Sequence, residues 1–255
     1  MKTGSLLKFI AAAITIAIGA APAAFSGESM YTPPPQPTTK DVRVESTSKP
    51  KATDVRKEIA GPLREAGDLG KKKDLQGALA KVKEADAVTD KSPYEEYVVA
   101  SFLMEYSGAL KDYSGAAIAI NRALATNAAP EADLPKLLVK AVALNEAAKN
   151  HAQAIAAGEQ LKKLGTRDPA AETNLALAYY NSGNYPGAIK TAKDSLESQT
   201  ANGGKPIEQT LIVLKNAQIK AGDQKGAVQT EIRLCDMSTS EPKEQCDIAR
   251  KAAQK

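Results

Sequence analysis

Tryptophan is absent from these 255 residues, and phenylalanine occurs only three times. A core must therefore be built mainly from Ala, Leu, Ile and Val, which suits closely packed helices and gives no support to Phe-rich sheets. Histidine occurs once, at His151, and cysteine twice, at Cys235 and Cys246. No G-x-S-x-G, H-E-x-x-H or Walker loop is present. Asp and Glu are scattered without the paired arrangement that acid–base work needs. The chain is thus expected not to be an enzyme, and nothing in it implies a cofactor or a metal centre.

Charge of one sign is also missing. Residues 1–23 carry Lys2 and Lys8 and no acid, so the remainder has 32 basic and 30 acidic residues, close to neutral. A nucleic-acid partner would call for a strongly basic face. The one basic run, Lys71-Lys72-Lys73, sits beside Asp74 and reads as a solvated loop. Residues 1–23 have the form of a secretory signal: basic residues near the start, an apolar stretch from Phe9 to Ala20, and a small-x-small site at Ala21-Pro22-Ala23. That stretch is shorter than the ~18 residues of a spanning helix, so no stable membrane span is expected after cleavage. No Cys follows the site, which argues against a lipoprotein anchor. The expected location is periplasmic or secreted. Residues 24–53, with Pro33-Pro34-Pro35, Pro37 and several Thr, lack apolar periodicity and read as a disordered or extended linker.

From residue 54 the chain repeats. Five decapeptides, KDLQGALAKV, KDYSGAAIAI, KNHAQAIAAG, GNYPGAIKTA and GDQKGAVQTE, place Ala78, Ala116, Ala154, Ala188 and Ala227 at equivalent points. Small residues recurring in this way mark where two helices joined by a short turn cross, with axes ~8–10 Å apart. Gly115 and Gly187, next to two of these alanines, are expected to ease the same crossing. Helix starts agree: Ser92-Pro93-Tyr94-Glu95 has the form of a capping box, Asp133 precedes Leu134-Pro135, Asp168 precedes Pro169, and Lys205-Pro206 precedes the last hairpin. Pro62 is expected to kink or restart the first helix.

The stretch from Asp168 to Leu196 carries a family resemblance. Leu175 and Ala176 form a small or apolar pair, followed by Tyr179, Gly183, Tyr185 and Ala188 at set intervals. This resembles the tetratricopeptide repeat, and the similarity extends over residues 54–236. It implies an all-α fold: a right-handed α-solenoid of about five stacked helix-turn-helix hairpins, closed by a C-terminal cap and tail over 237–255. Each hairpin must stack on the next because none covers its own apolar face. Ile248 and Ala252 are expected to face the last hairpin.

In such proteins the first helices line a concave groove. Carried over, the resemblance implies a groove that includes Glu105, Lys136, Glu146, Thr173, Leu177, Tyr180, Asn181, Asn216 and Lys220. Tyr180 and Asn181 are the leading contacts, since Tyr is a common hot spot. No repeat carries the Lys and Asn pair with which some family members grip a C-terminal carboxylate. The expected partner is a protein or peptide segment with apolar anchors, held by a non-catalytic scaffold in a cell-envelope complex. A soluble receptor for a small molecule or glycan fragment, and a self-associating structural protein, remain open as alternatives. His151 is expected as a ring in the wedge between two helices. Cys235 and Cys246, a lone pair in an exported chain, are expected to form a disulfide.

Overall fold

Five turns of one construction organise the protein. The computed structural model describes residues 54–237 and 243–254, so the expected signal and linker lie outside the described residues. Among the described residues there are eleven α-helices and no strand. They form five hairpins: α1 (Lys57–Lys71) with α2 (Leu75–Asp86), α3 (Pro93–Ala109) with α4 (Tyr113–Ala125), α5 (Leu134–Ala147) with α6 (His151–Lys163), α7 (Pro169–Asn181) with α8 (Tyr185–Thr200), and α9 (Glu208–Ala221) with α10 (Gln224–Met237). A last helix, α11 (Lys243–Ala252), packs on α10. Each second helix packs on the first helix of the next hairpin, which makes the stack continuous.

Every turn within a hairpin has one residue in the left-handed region: Lys73, Lys111, Lys149, Gly183 and Gly222, with φ of 64°, 62°, 61°, 81° and 81°. The following N–H then reaches back five residues, to the carbonyls of Leu69, Ser107, Asn145, Tyr179 and Gln218, at 2.7–3.0 Å. This closure satisfies carbonyls that the ending helix leaves open. The same following residue caps the next helix. Asp74, Asp112, Asn184 and Asp223 accept from the N–H of Gly77, Gly115, Gly187 and Gly226 at 2.9–3.0 Å. A Cβ on these glycines would stand 2.2–3.0 Å from the capping side chain. In the third hairpin Gln153 takes the glycine's place, and Asn150 makes no side-chain cap. The expected role of Gly115 and Gly187 is refined accordingly: both make room for a cap, and Gly115 also eases the crossing, since a Cβ there would stand 3.2 Å from Ser107 Oγ on α3.

The crossings belong to the alanines. Ala78, Ala116, Ala154 and Ala188 are fully buried, and Ala227 nearly so. Around them the core divides into two clusters. One runs from α1 to α7 through Ile59, Val82, Ile120, Leu138 and Leu175. The other joins α7 to α10 through Ala176, Leu196, Leu211, Leu214 and Leu234. A polar seam accompanies this second packing. The hydroxyls of Thr173 and Thr210 lie 2.6 Å apart, and the Gln199 amide donates to Thr210 and Ser195 at 3.0 and 2.8 Å. Gln199 Oε1 accepts from the Ile207 N–H at 2.6 Å. All four side chains are buried and bonded, so the seam carries directional contacts without a desolvation penalty left open.

Three other expectations need adjusting. Helix α1 runs through Pro62 without restarting. Proline has no N–H, so the hydrogen bond to the Glu58 carbonyl is given up there. Helix α5 begins at Leu134 as the sequence indicates, but Asp133 makes no side-chain cap. On α11 the buried face carries Cys246 and Ala249, while Ile248 is 45% exposed. The cause is the Cys235–Cys246 disulfide, with Cα atoms 5.7 Å apart, which turns the Cys246 side of the helix inward. The capping box at Ser92 is complete: Ser92 Oγ accepts from the Glu95 N–H at 3.2 Å, and Glu95 Oε2 accepts from the Ser92 N–H at 2.8 Å.

Candidate partner-binding surface

The first helices α1, α3, α5, α7 and α9 present one face that their own second helices do not cover. Its continuous part lies on α5, α7 and α9, because α7 packs against both α5 and α9. Helices α3 and α5 lack a comparable contact. The connection from Thr126 to Asp133 between the second and third hairpins is long, and there the joint is made by α4 against α5, through the apolar core and a pair of amides. Asn121 and Asn145 exchange two hydrogen bonds of 2.9 Å, and Asn145 is fully buried.

On this face the backbone register leaves a row of half-buried apolar side chains: Val139 and Ala143 on α5, Leu177 and Tyr180 on α7, and Ile212 on α9. Leu177, Tyr180 and Ile212 pack their lower edges on the second core cluster. The Tyr180 ring is braced by Tyr185, with centroids 5.7 Å apart. Burial, and then the nearby Tyr185, push the Tyr180 hydroxyl above its ordinary range, so it is a neutral donor at physiological pH. Asn216 is half-buried beside this row, and Lys136 and Lys220 are exposed at its ends. On α3, Glu105 is half-buried.

Two of the residues assigned to the groove by resemblance are placed elsewhere. Thr173 is only 5% exposed, and its hydroxyl is committed to the Pro169 carbonyl and to Thr210. Glu146 is 8% exposed and bonded from two sides: by His151 Nδ1 at 2.8 Å and by Asn181 Nδ2 at 2.6 Å. Close stacking of first helices is the common cause, since it turns part of the supposed lining into a joint. Asn181 therefore has one amide hydrogen tied to the third hairpin, although the residue is exposed. His151 serves that joint from the wedge between α5 and α6. The spacing that would have revealed the Glu146–Asn181 bond is long range, 35 residues, and no local pattern signals it.

Elsewhere the hairpins are joined by side-chain contacts that the sequence did not foretell. Tyr179 donates to Glu159 at 2.9 Å, and burial together with that bond pushes the phenol up to about 12. Burial works against ionising Glu159, but hydrogen bonds from Lys162 and Tyr179 outweigh it and leave its carboxyl below the usual range. Arg122 clamps Asp86 and Glu96, tying the second hairpin to the first. These are joint-making contacts with every charge partnered. Among the described residues no group of His, Cys, Asp and Glu is arranged to hold a metal.

No protein-family model matches the chain, and no curated protein is similar enough in sequence to count. Solved structures are similar in fold. One is YrrB, described as a TPR protein with an unusual peptide-binding site: it is 12% identical, with 78% of this chain and 93% of that one covered and a TM-score of 0.56. Another is MamA, residues 41 to the end, from Desulfovibrio magneticus RS-1: it is 14% identical, with 73% and 99% covered and a TM-score of 0.53. A MamA RS-1 double mutant gives the same identity and score over 78% and 99%. The fold of this chain is therefore that of the tetratricopeptide-repeat proteins, an all-α solenoid of stacked helical hairpins.

Proposed function

We propose that this chain is an exported, non-catalytic scaffold that holds a protein or peptide segment against the first-helix face of α5, α7 and α9, within a cell-envelope complex. The observation that carries this reading is the half-covered apolar row of Val139, Leu177, Tyr180 and Ile212 with polar ends at Lys136 and Lys220. An apolar strip with a polar edge is the general form of a groove that takes a helix or extended segment by a few anchors. The peptide-binding site named for YrrB, which shares the fold, supports the same use. Export is supported by the form of residues 1–23 and by a disulfide, which persists in oxidising compartments. Among the described residues no helix is long and apolar enough to cross a membrane.

Affinity capture from a cell-envelope fraction tests the reading. The native chain is compared with the pair Tyr180→Ala and Asn216→Ala. Losing a central Tyr anchor costs about 2 kcal/mol or more, close to a thirtyfold loss of affinity. Partners should therefore drop out of the capture while the melting temperature stays within a few degrees. An unchanged set of captured proteins would remove this face from consideration.

A further inference from the structure

A second concavity lies away from the first-helix face, between α8, α9 and α10. Its volume is about 570 Å³, within the range of ~300–1,000 Å³ typical of ligand sites. The floor is made by Leu196, Leu214, Gln218 and Thr230, all buried. The floor's polar groups are satisfied internally. Thr230 donates to Gln218 Oε1 at 2.7 Å, and Gln218 Nε2 donates to Asp223 Oδ2 at 3.1 Å. Asp223 spends its other oxygen on the Gly226 N–H. The floor is therefore closed and asks nothing of a ligand.

The walls differ. One carries Lys225, Gln229 and Arg233, spaced four residues apart along α10 and so lying on one side of it. The other carries Lys193, Glu197 and Thr200 on α8. All six are exposed. Lys193, Lys225 and Arg233 have no ion-pair partner among the described residues, and neither has Glu197. In contrast Arg56, Arg122, Arg167 and Arg250 each face a carboxylate. With Asp223 engaged in the cap, three uncommitted cations face one uncommitted acid.

Spacing selects the ligand. Lys225 and Arg233 are eight residues apart, about 12 Å along a helix axis. A single small anion does not reach both. An extended peptide rises about 3.3 Å per residue, so four residues cover that distance. We infer that this trough binds a short acidic peptide segment in extended form, its carboxylates meeting Lys193, Lys225 and Arg233 and its amides meeting Gln229 and Thr200. Glu197 sits among the cations as a discriminating charge that weakens binding of the most acidic sequences. The assignment does not rest on the first-helix face, since none of the residues assigned to that face lines this trough.

The experiment is calorimetric titration of the full chain with acetyl-Glu-Glu-Glu-Glu-amide, with the tetraglutamine peptide and inorganic phosphate as comparison probes. Saturable one-to-one binding is expected for the acidic peptide only. Raising salt from 20 to 300 mM should weaken it severalfold. The pair Lys193→Glu and Arg233→Glu should weaken it at least tenfold, and the milder pair Lys193→Gln and Arg233→Gln should do so by a smaller factor with an unchanged melting curve. Glu197→Gln should tighten it, and Tyr180→Ala with Asn216→Ala should leave it unaltered. Absence of saturable binding, or equal binding by both charge-altered pairs and the native chain, overturns the inference. Phosphate displacing the peptide at equal concentration overturns the peptide assignment.

Discussion

Replacing Lys73, Lys111 and Lys149 together by glycine should stabilise the protein. All three sit at positive φ, at the place in the turn where the fourth and fifth hairpins use Gly183 and Gly222. Their side chains are exposed and have no ion-pair partner among the described residues, so no contact is lost. A side chain in the left-handed region costs about 1–2 kcal/mol. Glycine removes that strain but adds about 0.5–1 kcal/mol of unfolded-state entropy. The net gain is roughly 0.5–1 kcal/mol per site. The sites lie in separate hairpins and should add, giving about 1.5–3 kcal/mol. For a body of this size that is a rise of roughly 4–10 °C in Tm. Thermal unfolding by circular dichroism measures it, with Gly183→Ala and Gly222→Ala as opposite controls that each destabilise by about 1 kcal/mol. A triple variant that melts at or below the native temperature would refute the argument that the five turns share one strained geometry.

Three further outcomes follow from the same structure. Ala116→Leu or Ala188→Leu puts a branched side chain into a fully buried crossing and should cost about 1–3 kcal/mol or more, read by urea unfolding; a loss below half of that would mean the crossing is not tight. Replacing Cys235 and Cys246 by Ala should remove about 2–3 kcal/mol from the C-terminal end and expose α11 amides to hydrogen exchange, leaving α1 to α4 protected. Burial opposes ionisation of Glu95, but hydrogen bonds from Arg56 and from the Ser92 N–H hold its carboxyl at about 2, against an ordinary 4.5. Its stabilising contribution, about 1–2 kcal/mol after screening of the half-exposed Arg56, is therefore complete above pH 4.5 and is lost as pH falls toward 2. Glu95→Gln should flatten that part of the stability–pH curve, and an unchanged curve would show the Arg56 clamp to be unimportant.

The sequence made the hairpins legible through side chains that do one local job. The recurring alanines, the Ser92 capping box, Asp168 before Pro169 and Gly183 at the turn each follow from short-range geometry. So does the paired Cys235 and Cys246 in a chain with the form of an exported protein. The lysines at positive φ were legible only through register: Lys73, Lys111 and Lys149 open the same decapeptides that Gly183 and Gly222 open, but a lysine by itself carries no preference for a left-handed turn. Gly115 and Gly187 were visible but only half assigned, since a glycine beside a crossing and a glycine beneath a capping side chain look alike in one dimension, and Gly115 is both. The partner-binding face was read less well. Thr173 and Glu146 fall at groove positions of the repeat, yet their real neighbours, Thr210 and Asn181, are over 30 residues away and come from stacking. The trough between α8 and α10 was missed because its charges belong to second helices, which the resemblance does not assign to binding.

The proposed role rests on one surface, and site-specific photo-crosslinking in the cell envelope tests it most directly. The photoreactive residue is placed at Leu177→p-benzoyl-phenylalanine and Asn216→p-benzoyl-phenylalanine on the first-helix face, and at Ile118→p-benzoyl-phenylalanine and Lys190→p-benzoyl-phenylalanine on exposed parts of second helices. Adducts of one defined partner at 177 and 216, with none at 118 and 190, are the predicted result. Adducts confined to 118 and 190 would contradict it.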